Sequence, residues 1–220
     1  MSYNYNDILR ETRKMVSDYM SQFDPSHDMY HIDRVSHLAL CIAKDMIKEQ
    51  STPVDLEVVE LAALCHDIDD HKYKDLNKDR NENVVKELLI NTLKYPKGDL
   101  VMKIIDHIGY TKEKKWNDEL DNPEEVYWRN HCLELHAVQD ADKLDAIGAI
   151  GILRCAAFSG ARNLPLYVPE NDCISSAITH FHEKLFNLKS LMRTSKGKEL
   201  ATERHRFMQQ FVHQIQLETL

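Results

Sequence analysis

The residues that make tight turns are scarce. Glycine and proline contribute six each to 220 residues, too few for the many short connections of a β-sandwich or barrel. No run approaches the ~18 uninterrupted apolar residues of a membrane-spanning helix. Met1 to Arg10 is polar and lacks the apolar stretch of a secretory signal, so a cytoplasmic protein without membrane association is expected. Basic charge is also in short supply. The 28 Lys and Arg against 36 Asp and Glu leave a formal charge of −8, which disfavours a protein that coats a nucleic-acid polymer. The five cysteines are odd in number and form no CxxC pair. Cys41, Cys65 and Cys155 sit beside apolar helix formers and read as buried, reduced core thiols. A Rossmann fingerprint, a Walker A loop and a G-x-S-x-G elbow are all missing, which excludes dinucleotide, P-loop and serine-hydrolase chemistry.

What is present is 43% hydrophobic and 29% charged residues, with twelve histidines. The length suits one domain, and no linker or internal repeat divides residues 1–220. The dominant period is helical. His31, Val35, Leu38, Ile42, Ala43 and Met46 form one stripe behind the breaker and cap Asp24-Pro25-Ser26. A second helix runs from about Pro53 into Leu61-Ala62-Ala63-Leu64-Cys65, apolar on all sides and therefore central. Residues 69–81 read as a polar loop, with helices over about 82–94 and 99–108. Trp116 to Pro123 reads as a connection. Val138, Asp142, Asp145, Ala149 and Ile152 repeat at three or four residues, as one helix with two carboxylates on its inward stripe. Gly160 to Asp172 is irregular. Ile174, Ile178, Phe181, Leu185, Leu188 and Met192 form another stripe, and a last helix follows Gly197. Phe207, Met208 and Phe211 are assigned to the core rather than to a subunit interface, and a homo-oligomer stays open. The expected fold is all-α.

The chemistry-bearing feature is polar, metal-capable side chains where the pattern demands apolar ones. His31 lies on a buried stripe, His66 and Asp67 end the most apolar helix, and Asp142 lies on the stripe with Val138 and Ala149. An isolated buried carboxylate costs several kcal/mol, so helices that bring these groups inward need mutual compensation. A divalent cation at their meeting point supplies it. The mixed N/O set suits Mn²⁺, Fe²⁺, Co²⁺, Ni²⁺ or Zn²⁺ better than Ca²⁺.

Several stretches carry a resemblance: His27-Asp-Met-Tyr-His-Ile-Asp-Arg-Val35, Ala62-Ala-Leu-Cys-His-Asp-Ile-Asp69, and Gln139-Asp-Ala-Asp-Lys-Leu-Asp-Ala-Ile-Gly-Ala-Ile-Gly151. His180-Phe-His-Glu-Lys-Leu185 and Arg204-His-Arg-Phe-Met208 extend it. In these stretches, spread over about 25–210, the chain resembles the HD-domain metal-dependent phosphohydrolases, in particular their small bacterial-type nucleotide-hydrolysing branch. The resemblance implies a single-domain helical HD fold with metal ligands His31, His66, Asp67 and Asp142. Mn²⁺ is the expected ion, with Ni²⁺, Co²⁺, Fe²⁺, Mg²⁺ or Zn²⁺ as alternatives.

A metal-bound water is deprotonated near neutral pH, and the ion offsets charge at a phosphate oxygen. Asp67 would bind metal and orient the water. Asp70, four residues after His66 and at a position often acidic in the family, is the preferred general base, with Asp75 second. Substrate phosphates need cations. Arg34 lies one turn after His31, Lys72 lies in the loop after the doublet, and Lys143 adjoins Asp142. Lys184, Arg193 and Arg204 fall where His180 to Arg206 carries seven Lys and Arg against three Glu, a local reversal of sign that suits a polyphosphate. His107 or His71 would serve a second metal, while His131, His136, His205 and His213 are assigned structural or exposed places. The 160–172 loop, with Gly160, Arg162, Asn163 and Tyr167, is the expected lid or base-recognition element. The expected substrate is a small nucleotide, cleaved from triphosphate to monophosphate and pyrophosphate. A 5′-monophosphatase or phosphodiesterase on the same site stays open, as do a non-catalytic nucleotide-binding regulatory domain and a metal oxygenase on the same fold.

Overall fold

The computed structural model describes residues 3–50, 53–68, 83–169 and 174–219, and no strand occurs among them. The all-α expectation holds. No single helix among the described residues is long and apolar enough to cross a membrane.

Three helices make the centre. Helix α2, Met29–Gln50, buries Ile32, Val35, Ala39, Ile42, Ala43 and Met46 along one stripe, with His31 at its inner start. Helix α3, Leu56–Cys65, is started by Asp55, whose side chain accepts from the Val58 amide. Every residue from Leu61 to Cys65 is fully buried, as an all-round apolar helix must be. Helix α8, Leu133–Asp145, packs on both. Around them lie α1, Tyr5–Met20, α5, Gly98–Asp106, and the short α6, Tyr110–Glu113, and α7, Pro123–His131. Helix α1 was not expected from the sequence. Its stripe of Ile8, Thr12, Val16 and Met20 buries one residue per turn under an otherwise polar surface. The 82–94 helix is the short α4, Val84–Lys86, continuing into a π-helical turn, Glu87–Thr92.

Two expectations are corrected by backbone geometry. The period from Val138 to Ile152 belongs to two helices, α8 and α9, Gly148–Ala161, which meet at 68°. Gly148 takes φ +79° at the elbow, and a Cβ there would lie 2.9 Å from the Arg204 side chain. A Cβ on Gly151 would overlap the Ala146 carbonyl, so both glycines are needed for the tight bend. The 174–192 stripe is likewise divided, into α10, Ala177–Glu183, and a 3-10 segment, Leu185–Leu191. Phe181, Leu185, Leu188 and Met192 are buried as expected, whereas Ile174 is exposed. Of the aromatic and Met residues assigned to the core in the last helix, Met208 is buried and Phe211 half-buried, but Phe207 is exposed. Cys41 is also exposed, because Ile42 and Ala43 take the inward face of α2; Cys65 and Cys155 are buried.

The last helix, α11, Ser195–Glu218, is fastened to the centre at its first turn. The fully buried Asp140 of α8 accepts from the amides of Arg193 (3.0 Å) and Thr194 (2.8 Å) and from the Thr194 hydroxyl (2.7 Å). Thr194 Oγ1 in turn accepts from the Gly197 amide (2.9 Å) and caps the helix. Asp140→Ala would strand two amides and a hydroxyl, a loss on the order of 3–5 kcal/mol expected in urea unfolding. His136 on the same helix is buried, and its Nε2 donates to the Arg129 carbonyl (2.8 Å). Burial holds its pKa below the ordinary value. The unfolded chain therefore takes up this proton first on acidification. The His136 contribution is intact above the unfolded pKa of about 6.5 and declines as pH falls from there toward the folded value. Equilibrium unfolding of His136→Gln between pH 7 and 5 is expected to show a shallower loss of stability than the parent.

Candidate metal centre

Helix α2 delivers His31, the end of α3 delivers His66 and Asp67, and α8 delivers Asp142. His31 Nε2 lies 3.2 Å from Asp67 Oδ2 and 4.0 Å from Asp142 Oδ1. His66 Nε2 lies 3.5 Å from Asp67 Oδ1 and 3.6 Å from Asp142 Oδ1. Donor atoms of His31, His66 and Asp67 all fall within 4.8 Å of one another, and this is the one such group among the described residues. Asp142 borders it.

The imidazoles are held by their other nitrogens. His31 Nδ1 bonds Asp145 Oδ2 (2.7 Å), and His66 Nδ1 bonds the Ala63 carbonyl (2.8 Å). A carbonyl only accepts, so the His66 Nδ1 carries hydrogen and its Nε2 lone pair faces the group. His31 Nε2, His66 Nε2 and Asp67 Oδ2 are buried without a hydrogen-bond partner, a cost native cores avoid unless something else binds there. Electrostatics agrees. Burial would depress the His66 pKa, but Asp67 and Asp142 outweigh it and raise the value to about 9. Asp67 is held well below the usual carboxylate range: burial opposes this, and His66 and His31 overcome it. The cluster therefore draws positive charge, which a divalent cation would supply better than a shared proton. The donors fit a transition-metal ion.

The same region decides the family. A model of the HD domain matches residues 29–147, a span that holds all four residues above. The chain belongs to the HD-domain family. The chain is 37% identical over 206 residues to the protein YpgQ of Bacillus subtilis, covering 94% of the chain and 91% of YpgQ. The crystal structure of YpgQ in complex with ADP matches it with a TM-score of 0.71 at 33% identity, over 96% of this chain and 97% of that one. That of an HD-superfamily hydrolase from Bacillus thuringiensis matches with a TM-score of 0.60 at 29% identity, over 98% of each.

Two adjoining cavities open at the centre of the HD domain. The first, about 250 Å³, is lined by His66, Asp67 and Asp142 together with Lys112, Lys143 and Asp106. The second, about 400 Å³, is walled by Gly151, Arg154, Cys155 and Phe158 of α9 and by Thr111, His180, Glu183 and Leu185. His27, Tyr110, Ala146, Arg154 and Lys184 line both and form the neck.

The expected phosphate binders fare differently. Lys184 is at the neck, its ammonium 5.5 Å from the Tyr110 ring centroid. Lys143 lines the first cavity, but its Nζ lies 2.7 Å from the buried Glu113 carboxylate. Arg34 lines neither cavity, because its guanidinium is spent on Asp145 through Nε (2.7 Å) and Nη2 (3.0 Å). Arg193 bonds Asn130 and lies over Trp116, and Arg204 bonds the Leu144 carbonyl under the elbow. These two are packing residues. Asp70, His71, Lys72 and Asp75 lie outside the described residues. His107 is no metal donor here: Nδ1 bonds the Lys103 carbonyl and Nε2 pairs with Glu125 (2.8 Å). Gly160 belongs to the last turn of α9, and Arg162, Asn163 and Tyr167 line neither cavity. One wall of the second cavity is the inner face of α9, and residues 170–172 of the expected lid lie outside the described residues.

Arg154 and Tyr110 were missed. The visible signal for Arg154 was its helical spacing, three residues from Gly151 and four from Phe158. Removing one partner of a buried pair strands the other. Glu113→Ala is expected to cost about 3 kcal/mol in chemical unfolding, and Glu113→Leu with Lys143→Met to recover most of it.

Proposed function

We propose that this chain is a metal-dependent phosphohydrolase of nucleotides that converts a nucleoside triphosphate to monophosphate and pyrophosphate. The observation that carries the reading is the convergence of His31 Nε2, His66 Nε2 and Asp67 Oδ2, buried and without hydrogen-bond partners, beside a cavity that opens into a larger one. His31, His66, Asp67 and Asp142 would hold the ion, Mn²⁺ by preference. When bound, it supplies a hydroxide near neutral pH and neutralises charge on a phosphoryl oxygen.

The residues of the chain do the rest. The second cavity has the size of a nucleoside pocket and an apolar wall from Phe158, Cys155 and Leu185. A nucleoside held there presents its α-phosphate at the neck, between the cations Arg154 and Lys184. The outer phosphates extend into the first cavity toward Lys112 and depart as pyrophosphate. Asp67, in contact with both imidazoles, orients the attacking water, and Asp70 takes its proton in this reading. The ADP held by YpgQ supports a nucleotide as the ligand class.

Protein stripped of metal and reloaded with Mn²⁺, offered dNTPs, NTPs and dNMPs, is expected to release pyrophosphate from triphosphates. Asp67→Ala is expected to reduce the rate by about 10³-fold or more. Phosphate from monophosphates, or a linear product from a cyclic nucleotide, would replace the reaction and keep the site. Nucleotide binding without turnover under any of several metals would make the chain a regulatory domain.

A further inference from the structure

Asp145 lies three residues beyond Asp142 on α8 and is buried, yet both of its oxygens are already engaged. Oδ1 accepts from Arg34 Nε (2.7 Å). Oδ2 accepts from Arg34 Nη2 (3.0 Å) and Arg154 Nη1 (3.2 Å) and lies 2.7 Å from His31 Nδ1. One carboxylate thus meets one imidazole and two guanidinium groups, drawn from α2 and α9.

We infer that Asp145 is the positioning residue of this site: through His31 it fixes the nitrogen that faces the metal donors, and through Arg154 it sets the cation at the neck between the cavities. The inference rests on the metal-binding reading above. A carboxylate accepting from Nδ1–H commits the His31 ring to one orientation and one tautomer, and its negative charge makes Nε2 a better donor. His66 has only a neutral carbonyl in the equivalent place (2.8 Å), so the two imidazoles are held unequally, His31 by a carboxylate and His66 by a backbone carbonyl. Arg154 spends Nε on the Ser26 carbonyl (2.8 Å) and Nη1 on Asp145, which leaves Nη2 for an anion at the neck.

A merely structural Asp145 would only tie α2 to α9, and loss of Arg34 would then mimic its loss. Mn²⁺ binding followed by electron paramagnetic resonance, without nucleotide, separates the two roles. Asp145→Asn is expected to weaken Mn²⁺ binding about 10–100-fold and to raise KM for the nucleotide, while Arg34→Gln stays within about threefold of the parent. In the metal-free parent, ¹⁵N–¹H spectra are expected to show a proton on His31 Nδ1, and this measurement decides if Asp145→Asn does not fold. Unchanged Mn²⁺ affinity in Asp145→Asn, equal losses in the two variants, or an unprotonated Nδ1 would overturn the inference while the metal reading stands. A parent protein that binds no Mn²⁺, Zn²⁺ or Ni²⁺ would remove both.

Discussion

Helix α8 can be buried because its inward ionisable groups each meet a partner on a neighbouring element. Asp140 receives the first turn of α11, and Lys143 receives Glu113 of α6. Asp142 meets the histidines from α2 and α3, and Asp145 meets α2 and α9 together. Within six residues the helix specifies where five other elements dock. A purely apolar helix would pack with less selectivity, since hydrophobic contact has no direction. Here a small rotation of α8 would strand several charges at once, which is costly in a low-dielectric interior. The arrangement that makes the fold unique is thus the one that assembles the site.

The electrostatic design is divided between α8 and the two helices it packs against. Asp140 has its hydrogen bonds within the protein, and Lys143 is ion-paired with Glu113. Those at the donor group are left incomplete, with unbonded nitrogen and oxygen atoms facing one point. Burial alone does not separate scaffold from site, because Asp140, Lys143, His31 and His66 are all buried; the convergence of unbonded donor atoms of His31, His66 and Asp67 on one point does.

Much of this was legible in the sequence. The stripes of α2 and α3 follow from periodicity, and His31, His66, Asp67 and Asp142 stood out as polar residues at apolar positions. The elbow after Asp145 was not legible, because the spacing of three and four residues continues across it. The separate tasks of Asp142 and Asp145 were hidden for a similar reason: they share a stripe, and only the third dimension shows which meets arginines. Arg34 looked like a phosphate binder by its spacing from His31, whereas the arginine at the neck, beside Lys184, is Arg154, more than a hundred residues away in sequence. Local pattern shows that a charge points inward but does not name its partner.

The elbow itself has a consequence for how such a protein can change. Gly148 and Gly151 hinge α9 against α8 just beyond the last carboxylate, and α9 supplies a wall of the larger cavity but none of the donors. A shift in the angle of this joint would resize that cavity and, through the Arg154–Asp145–His31 contacts, would also reach the histidine–aspartate group. The size of the larger cavity and the set of the His31 ring are therefore linked through a single carboxylate at the bend.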